Sequence, residues 1–287
     1  MTKVLVIFHV YYQDQVPYFM DKLSSVTGCE WDLIVSMSCP NPLTEERVRA
    51  VKPDARFVMV ENVGYDIWPF MSVISSVDLD AYDIVLKLHT KHSTENHKVR
   101  INGVHMKGYM WRDTLVDALL GSPEQFSQVL AIFRDHPDAG MVCSGKLYCK
   151  MEFREDHDLL DRELEMLGLE TTERRFCVGT MFAIRPSLLK VIAEQGFSAI
   201  FFPPITASNA GGTPAHVYER VFSLLAPAQG MKVYTTGTDA EFTRKQRIRK
   251  VLKPILSFLF SLDREGEHAA KYLTIFGLKF KLDDGDK

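Results

Sequence analysis

Lys87, His89 and Lys91 stand two residues apart where an apolar run ends, in "YDIVLKLHTKHS". Residues two apart on an extended chain share a face. If the strand runs through Lys91, all three side chains project to one side. A strand covered on both faces reads as a near-continuous hydrophobic run, and a lysine inside one is costly unless it meets an anion. Two ammonium groups and an imidazole suit a diphosphate. One unit-charge pair at ~4 Å contributes about 4 kcal/mol at an effective dielectric of 20, so two or three could do a divalent cation's share of leaving-group stabilisation. The competing reading is structural: Lys87 pairs with a buried carboxylate, and the rest is a solvated loop.

Other groups fall where strands of the same kind would end. His9 and Tyr11 follow the first apolar run. "ENVGYDIWPFM" places Gly64 at a strand-to-helix turn between Asn62 and Asp66. Asp66 there could bond a base, a ribose or a sugar hydroxyl, although such a turn also takes a glycine and a polar cap for structural reasons. In "HVYERVF" helical spacing puts His216 one turn before Glu219 and Arg220. A glutamate at the mouth of an anion site is a candidate general base; its alternative is a surface pair with Arg220. His89, His92, His97 and His105 contain no HExxH and no acid at a metal-site spacing. No GxSxG elbow, Walker-A loop or GxGxxG loop is present.

The elements that must position these groups alternate between strand and helix. Apolar runs at 3–10, 31–37, 56–61, 83–88 and 139–145 are separated by helical patterns at 16–26, 44–51, 66–76, 108–120 and 123–135. That alternation predicts an α/β fold, a mostly parallel sheet with helices on both faces. In such sheets ligands sit beyond the carboxyl ends of the strands. The run 175–185 reads as a further strand, with Pro186 opening a helix. Residues 203–214 form a Pro/Gly/Ser-rich loop of the kind that closes over sites.

An apolar share of 46% and a charged share of 25% over 287 residues fit a globular protein with a sizeable core. A net charge of −3 offers no general attraction to nucleic acid or acidic membrane. The five scattered cysteines argue against a disulfide framework. With no cleavable leader ahead of "KVLVIFHV", the expected location is the reducing cytoplasm. Residues 244–260, "RKQRIRKVLKPILSFLF", read as a basic amphipathic helix. It could lie on an anionic inner membrane surface or pack on the domain with its charges solvated.

"HVYY", "NVGYDIWPF", "YDIVLKLHTKHS", "WRD", "FCVGTMFAIRP" and "HVYERVF" occur in the order seen in the rhamnan-synthesis F family. Over residues ~3 to ~225 the chain resembles those bacterial rhamnosyltransferase-like proteins, whose layout is similar to GT-A glycosyltransferases. The resemblance implies a transferase domain over 1–240, with a nucleotide-sugar half to about 145 and an acceptor half from 146, then a basic tail over 241–287. It implies inverting transfer of a deoxyhexose, L-rhamnose from dTDP-rhamnose, onto a glycan or lipid-linked glycan of the bacterial surface. A non-catalytic glycan- or nucleotide-binding protein on the same scaffold is the alternative. The donor side would comprise His9, Tyr11, Asn62, Gly64, Asp66, Lys87, His89 and Lys91. The acceptor side would comprise Trp111, Arg112, Gly179, Thr180, Met181, Arg185 and His216, with Arg185 also near the departing diphosphate. Glu219 would be the base and Asp66 its reserve. Where metal-dependent relatives carry Asp-x-Asp, this chain has His89-Thr90-Lys91, which implies that no divalent cation is required.

Overall fold

The computed structural model describes residues 1–91, 98–101, 104–150, 157–204, 212–239, 242–243, 248, 252, 260–265, 270–276 and 278–282. They fall into two units, Met1–Gly237 and Thr238–Lys287.

In the first unit the chain runs β1 (Lys3–Val10), α1 (Val16–Leu23), β2 (Glu30–Met37), α2 (Pro42–Val51), β3 (Arg56–Met59), α3 (Ile67–Ile74) and β4 (Ile84–His89). A short hairpin follows, β5 (Lys98–Ile101) and β6 (Val104–Lys107), then α4 (Met110–Leu120), α5 (Pro123–Asp135) and β7 (Ala139–Ser144). The remainder is β8 (Tyr148–Lys150), α6 (His157–Met166), β9 (Arg175–Cys177), β10 (Phe182–Ile184), α7 (Pro186–Ala193), α8 (Pro214–Ala228) and β11 (Lys232–Thr236).

Seven strands form one sheet in the order β11-β7-β10-β4-β1-β2-β3. β1 lies parallel to both β2 and β4, β2 to β3, and β11 to β7, while β10 is antiparallel to both its neighbours. Both strands at the centre are buried from near one end to the other, as apolar runs covered on two faces must be. Phe8 packs on Phe19 of α1, with ring centroids 4.7 Å apart. On the other face Phe70 of α3 packs edge-on against Phe182 and Phe222. Each such side chain contributes roughly 1.5–3 kcal/mol on burial.

Strand order runs outward from β1 to β3 and then returns to place β4 on the opposite flank of β1. The carboxyl ends of β1 and β4 therefore flank a topological switch point, where open α/β sheets leave a crevice.

The run 175–185, which reads as one strand, is two. Gly179 (φ 94°) and Thr180 (φ 47°) reverse the chain between them, so β9 pairs with β8 while β10 joins the main sheet.

In the second unit β12 (Phe260–Glu265), β13 (Ala270–Ile275) and β14 (Leu278–Leu282) form a three-stranded antiparallel sheet. Its strands were not apparent in a stretch that reads only as a basic tail. The segment 244–259, bearing most of the predicted amphipathic helix, lies almost wholly outside the described residues, as does 205–211 of the Pro/Gly loop. Among the described residues no helix is long and apolar enough to cross a membrane.

Candidate active site

A cavity of about 300 Å³ opens beyond the carboxyl ends of β1, β3 and β4. His9, Tyr11 and Tyr12 line it from the end of β1, and Asn62, Tyr65 and Asp66 from the turn that follows β3. His89, Thr90 and Lys91 come from the tip of β4, and Trp111 from α4. Backbone contacts hold these segments together. The Thr90 hydroxyl accepts the N–H groups of Tyr11 and Tyr12, each at 2.9 Å. Gln15 brackets Lys91, donating to its carbonyl at 2.7 Å and accepting its N–H at 3.3 Å.

β4 ends at His89, so Lys91 does not share a strand face with Lys87 and His89 as the spacing predicts. The two-residue rule does hold for the first pair, and both side chains reach Asp66 on the α3 side. Lys87 is 1% exposed. Its ammonium bonds the Asp66 carboxylate, and it also donates to the Thr180 carbonyl at 3.1 Å and the Thr180 hydroxyl at 3.0 Å. The anion that Lys87 meets is thus a carboxylate of the protein itself, which corrects its placement among diphosphate ligands. Lys87 does not line the cavity.

His89 lines the cavity with its ring, but both its nitrogens face carbonyls. Nε2 lies 2.8 Å from Gly179 O and Nδ1 3.1 Å from Thr90 O. Burial outweighs the pull of Asp66 and lowers its pKa to about 3. His9, on the neighbouring strand at the same level, bonds Ser36 Oγ at 3.1 Å, and burial lowers its pKa to about 4. Burial thus disfavours the charged form of both imidazoles. Burial acts to raise the Asp66 pKa, but the positive field of His89, Lys87 and Lys91 holds it well below the usual carboxylate range. Lys91 is the lysine that reaches the cavity. Its ammonium sits 3.7 Å from the centre of the Trp111 ring, and burial lowers its pKa against the pull of Asp66 and Glu219.

Gly179 joins the remaining candidates. Its N–H donates to Glu219 Oε1 at 2.9 Å, its carbonyl meets His89, and the Trp111 indole N–H reaches the Val178 carbonyl at 3.4 Å. Gly179 packs closely as well: an added Cβ would lie 2.8 Å from Leu115 and 3.0 Å from the Trp111 indole nitrogen, at a φ only glycine adopts freely. Glu219 is half-buried, is not among the residues lining the cavity, and lies close enough to Lys91 to act on its ammonium.

Several predicted residues serve other ends. Arg185 donates to the carbonyls of Ala139 (2.7 Å) and Phe133 (3.0 Å), so it closes the end of α5 and does not line the cavity. Arg112 stacks against the Tyr18 and Tyr109 rings and pairs with Asp113. Met181 is fully buried in the core. Gly64 is needed for packing: a Cβ there would lie 2.7 Å from the Phe202 ring. His216 bonds the Thr213 hydroxyl at 2.7 Å and meets Tyr65 edge-on, 5.7 Å between rings. Tyr12, Tyr65 and Thr90 lie inside the quoted motifs without having been singled out as site residues, and Gln15, which brackets Lys91, lies outside them.

Among the described residues no three His, Cys, Asp or Glu side chains converge as a metal site. Asp66, the carboxylate lining the cavity, already has an ammonium as its partner. This donor set does not fit a divalent cation.

The family model described as rhamnan synthesis protein F matches residues 1–231. Uncharacterized protein WxcX of Xanthomonas campestris pv. campestris is 27% identical over 246 residues, covering 83% of this chain and 33% of that protein. The chain therefore spans one third of the length of this curated relative. Among solved structures, Staphylococcus aureus TarS 1–349 aligns with a TM-score of 0.44 at 11% identity, over 83% of this chain and 59% of that one. The mannosyltransferase PcManGT from Pyrobaculum calidifontis, solved with GDP-Man and Mn2+, aligns at 0.38 and 16% identity, over 89% and 62%. Likenesses this distant say nothing of chemistry.

Proposed function

This chain belongs to the rhamnan synthesis protein F family, and on that premise we propose that it is a glycosyltransferase using a nucleotide-sugar donor. The observation that carries this reading is the cavity at the switch point, with aromatic walls from Tyr11, Tyr12 and Trp111 and one lysine, Lys91, at its edge. Aromatic faces suit a nucleotide, and an ammonium suits its diphosphate. The sugar we assign is a deoxyhexose, L-rhamnose from dTDP-rhamnose, passed to a hydroxyl of a glycan or lipid-linked glycan.

Transfer with inversion is a single displacement. The acceptor oxygen bonds the anomeric carbon as the bond to the diphosphate oxygen breaks, and the hydroxyl proton goes to a carboxylate. Glu219 is assigned that proton. One of its oxygens is occupied by the Gly179 N–H, leaving the other for the acceptor. Asp66 is a poor base, because its neighbours hold its pKa down and a base works best near the operating pH. Lys91 stabilises the leaving diphosphate through a charge already in place. Residues 244–260 are proposed to rest on an anionic membrane; deleting 244–287 should then lower the membrane-bound fraction.

The test is calorimetric titration with dTDP-rhamnose, UDP-glucose and GDP-mannose, followed by product analysis over a set of glycan acceptors. Binding with no product from any acceptor would favour a binding module. Failure to bind any nucleotide-sugar would sink the reading.

A further inference from the structure

Two turns in this molecule share a sequence pattern and a backbone conformation. Val63-Gly64-Tyr65 and Val178-Gly179-Thr180 each carry two successive positive φ angles, 63° and 56° in the first, 94° and 47° in the second. They meet at one atom, because Asp66, next to Tyr65, accepts the Thr180 hydroxyl on Oδ2 at 2.6 Å. A positive φ is a genuine outlier for a β-branched residue. Such strain persists only where the surroundings over-determine it, and it clusters at functional sites. Here the surroundings are explicit. Lys87 holds both the carbonyl and the hydroxyl of Thr180, and Asp66 holds the hydroxyl again. Thr180 is 1% exposed and does not line the cavity.

What this clamp delivers is the residue before it. Gly179 presents its N–H to Glu219 and its carbonyl to His89. We propose that Thr180 is a positioning residue: locked by the Lys87–Asp66 pair, it fixes Gly179 so that Glu219 and His89 hold their working orientations. The proposal rests on the glycosyl-transfer reading for its consequence but not for its geometry. It also gives the buried ion pair a purpose, which is to hold a strained turn.

The experiment uses the full chain with Thr180→Val, Thr180→Ala and Thr180→Ser. Valine keeps the branched shape and deletes only the hydroxyl. Thr180→Val should lose on the order of 10²-fold in kcat, the cost of a small misplacement of reacting groups, with donor KM little changed. Thr180→Ser should recover most of that loss. On a Glu219→Gln background Thr180→Val should cost little further, since residues acting as a unit are not additive. The Gly179 amide should exchange with deuterium faster in Thr180→Val than in the wild type. Unchanged kcat in the valine variant, or full additivity with Glu219→Gln, would overturn the proposal. So would unfolding of both the valine and alanine variants below assay temperature, which would make the contact one of stability alone. An inactive wild-type enzyme would count against glycosyl transfer; Gly179 exchange then decides on the clamp, and unaltered protection refutes it.

Discussion

Lys87 and Lys91 stand four residues apart in one motif and live in different physical worlds. Lys87 sits in a closed cluster under the 178–180 turn, its ammonium shared among the Asp66 carboxylate and two oxygens of Thr180. Lys91 sits on the wall of a cavity, over the face of an indole. In a closed cluster every charge has a fixed counter-charge, and removing one strands the other. On a cavity wall the charge can serve a ligand. The same side chain is thus locked into the fold at one position and lines a cavity four residues later.

The comparison can be broken most sharply at Lys87. Lys87→Ala takes the bonded ammonium from Asp66, which keeps only the weaker pull of His89 and Lys91, and removing one partner of a buried pair costs up to about 3–5 kcal/mol. Urea unfolding measures this, and a loss below about 1 kcal/mol, the range of an exposed pair, would show the cluster to be hydrated. Replacing both partners, Lys87→Met with Asp66→Leu, should restore much of the stability while leaving the enzyme inactive.

Next comes Lys91→Ala. Loss of one preorganised group facing developing charge lowers kcat by roughly 10²–10³-fold, and the melting temperature should barely move. Near-normal turnover would remove Lys91 from the mechanism. Equal stability losses for the two alanine variants would erase the contrast between the sites.

A smaller effect is expected from pH. His9 and His89 have native pKa values of about 4 and 3, against 6.5 when unfolded. Between those limits the unfolded chain binds more protons, so stability is greatest above pH 6.5 and falls as pH drops toward 4. The slope is about 1.4 kcal/mol per pH unit for each histidine. Asp66, with its depressed native pKa, contributes stability above the unfolded carboxylate value and loses it only below about pH 4. Denaturant titrations at pH 7, 6 and 5 read the slope, and His9→Gln should halve it. A flat profile would mean that water reaches both rings. Smallest of all is the effect of chelation: adding EDTA should leave turnover unchanged, and a strict manganese requirement would overturn the account of Lys91.

Much of this was legible in the residue order. Near-continuous apolar runs alternating with helical patterns announced the sheet, and the polar residues at the run ends announced where a site would lie. Lys87 was conspicuous as a charge inside a greasy strand. Its partner was not, because Asp66 lies 21 residues away and α3 must fold back over β4 before the two meet. The split of 175–185 was hidden for a related reason. An apolar stretch reads as one strand unless a φ-reversing pair is recognised, and Thr180 is a residue that ordinarily avoids that conformation. β12 to β14 alternate charged and apolar residues over short spans, and their pairing depends on chain reversal rather than composition.

The sequence by itself determined the layers of the fold, the strands whose tips carry polar groups, and a positive charge that had to find an anion. Tertiary structure alone decided which anion that was and which lysine came to line a cavity. The reason is physical. Burial and periodicity are properties of neighbouring residues along a chain, whereas charge pairing is settled by distances of a few ångströms between segments that only the completed sheet brings together.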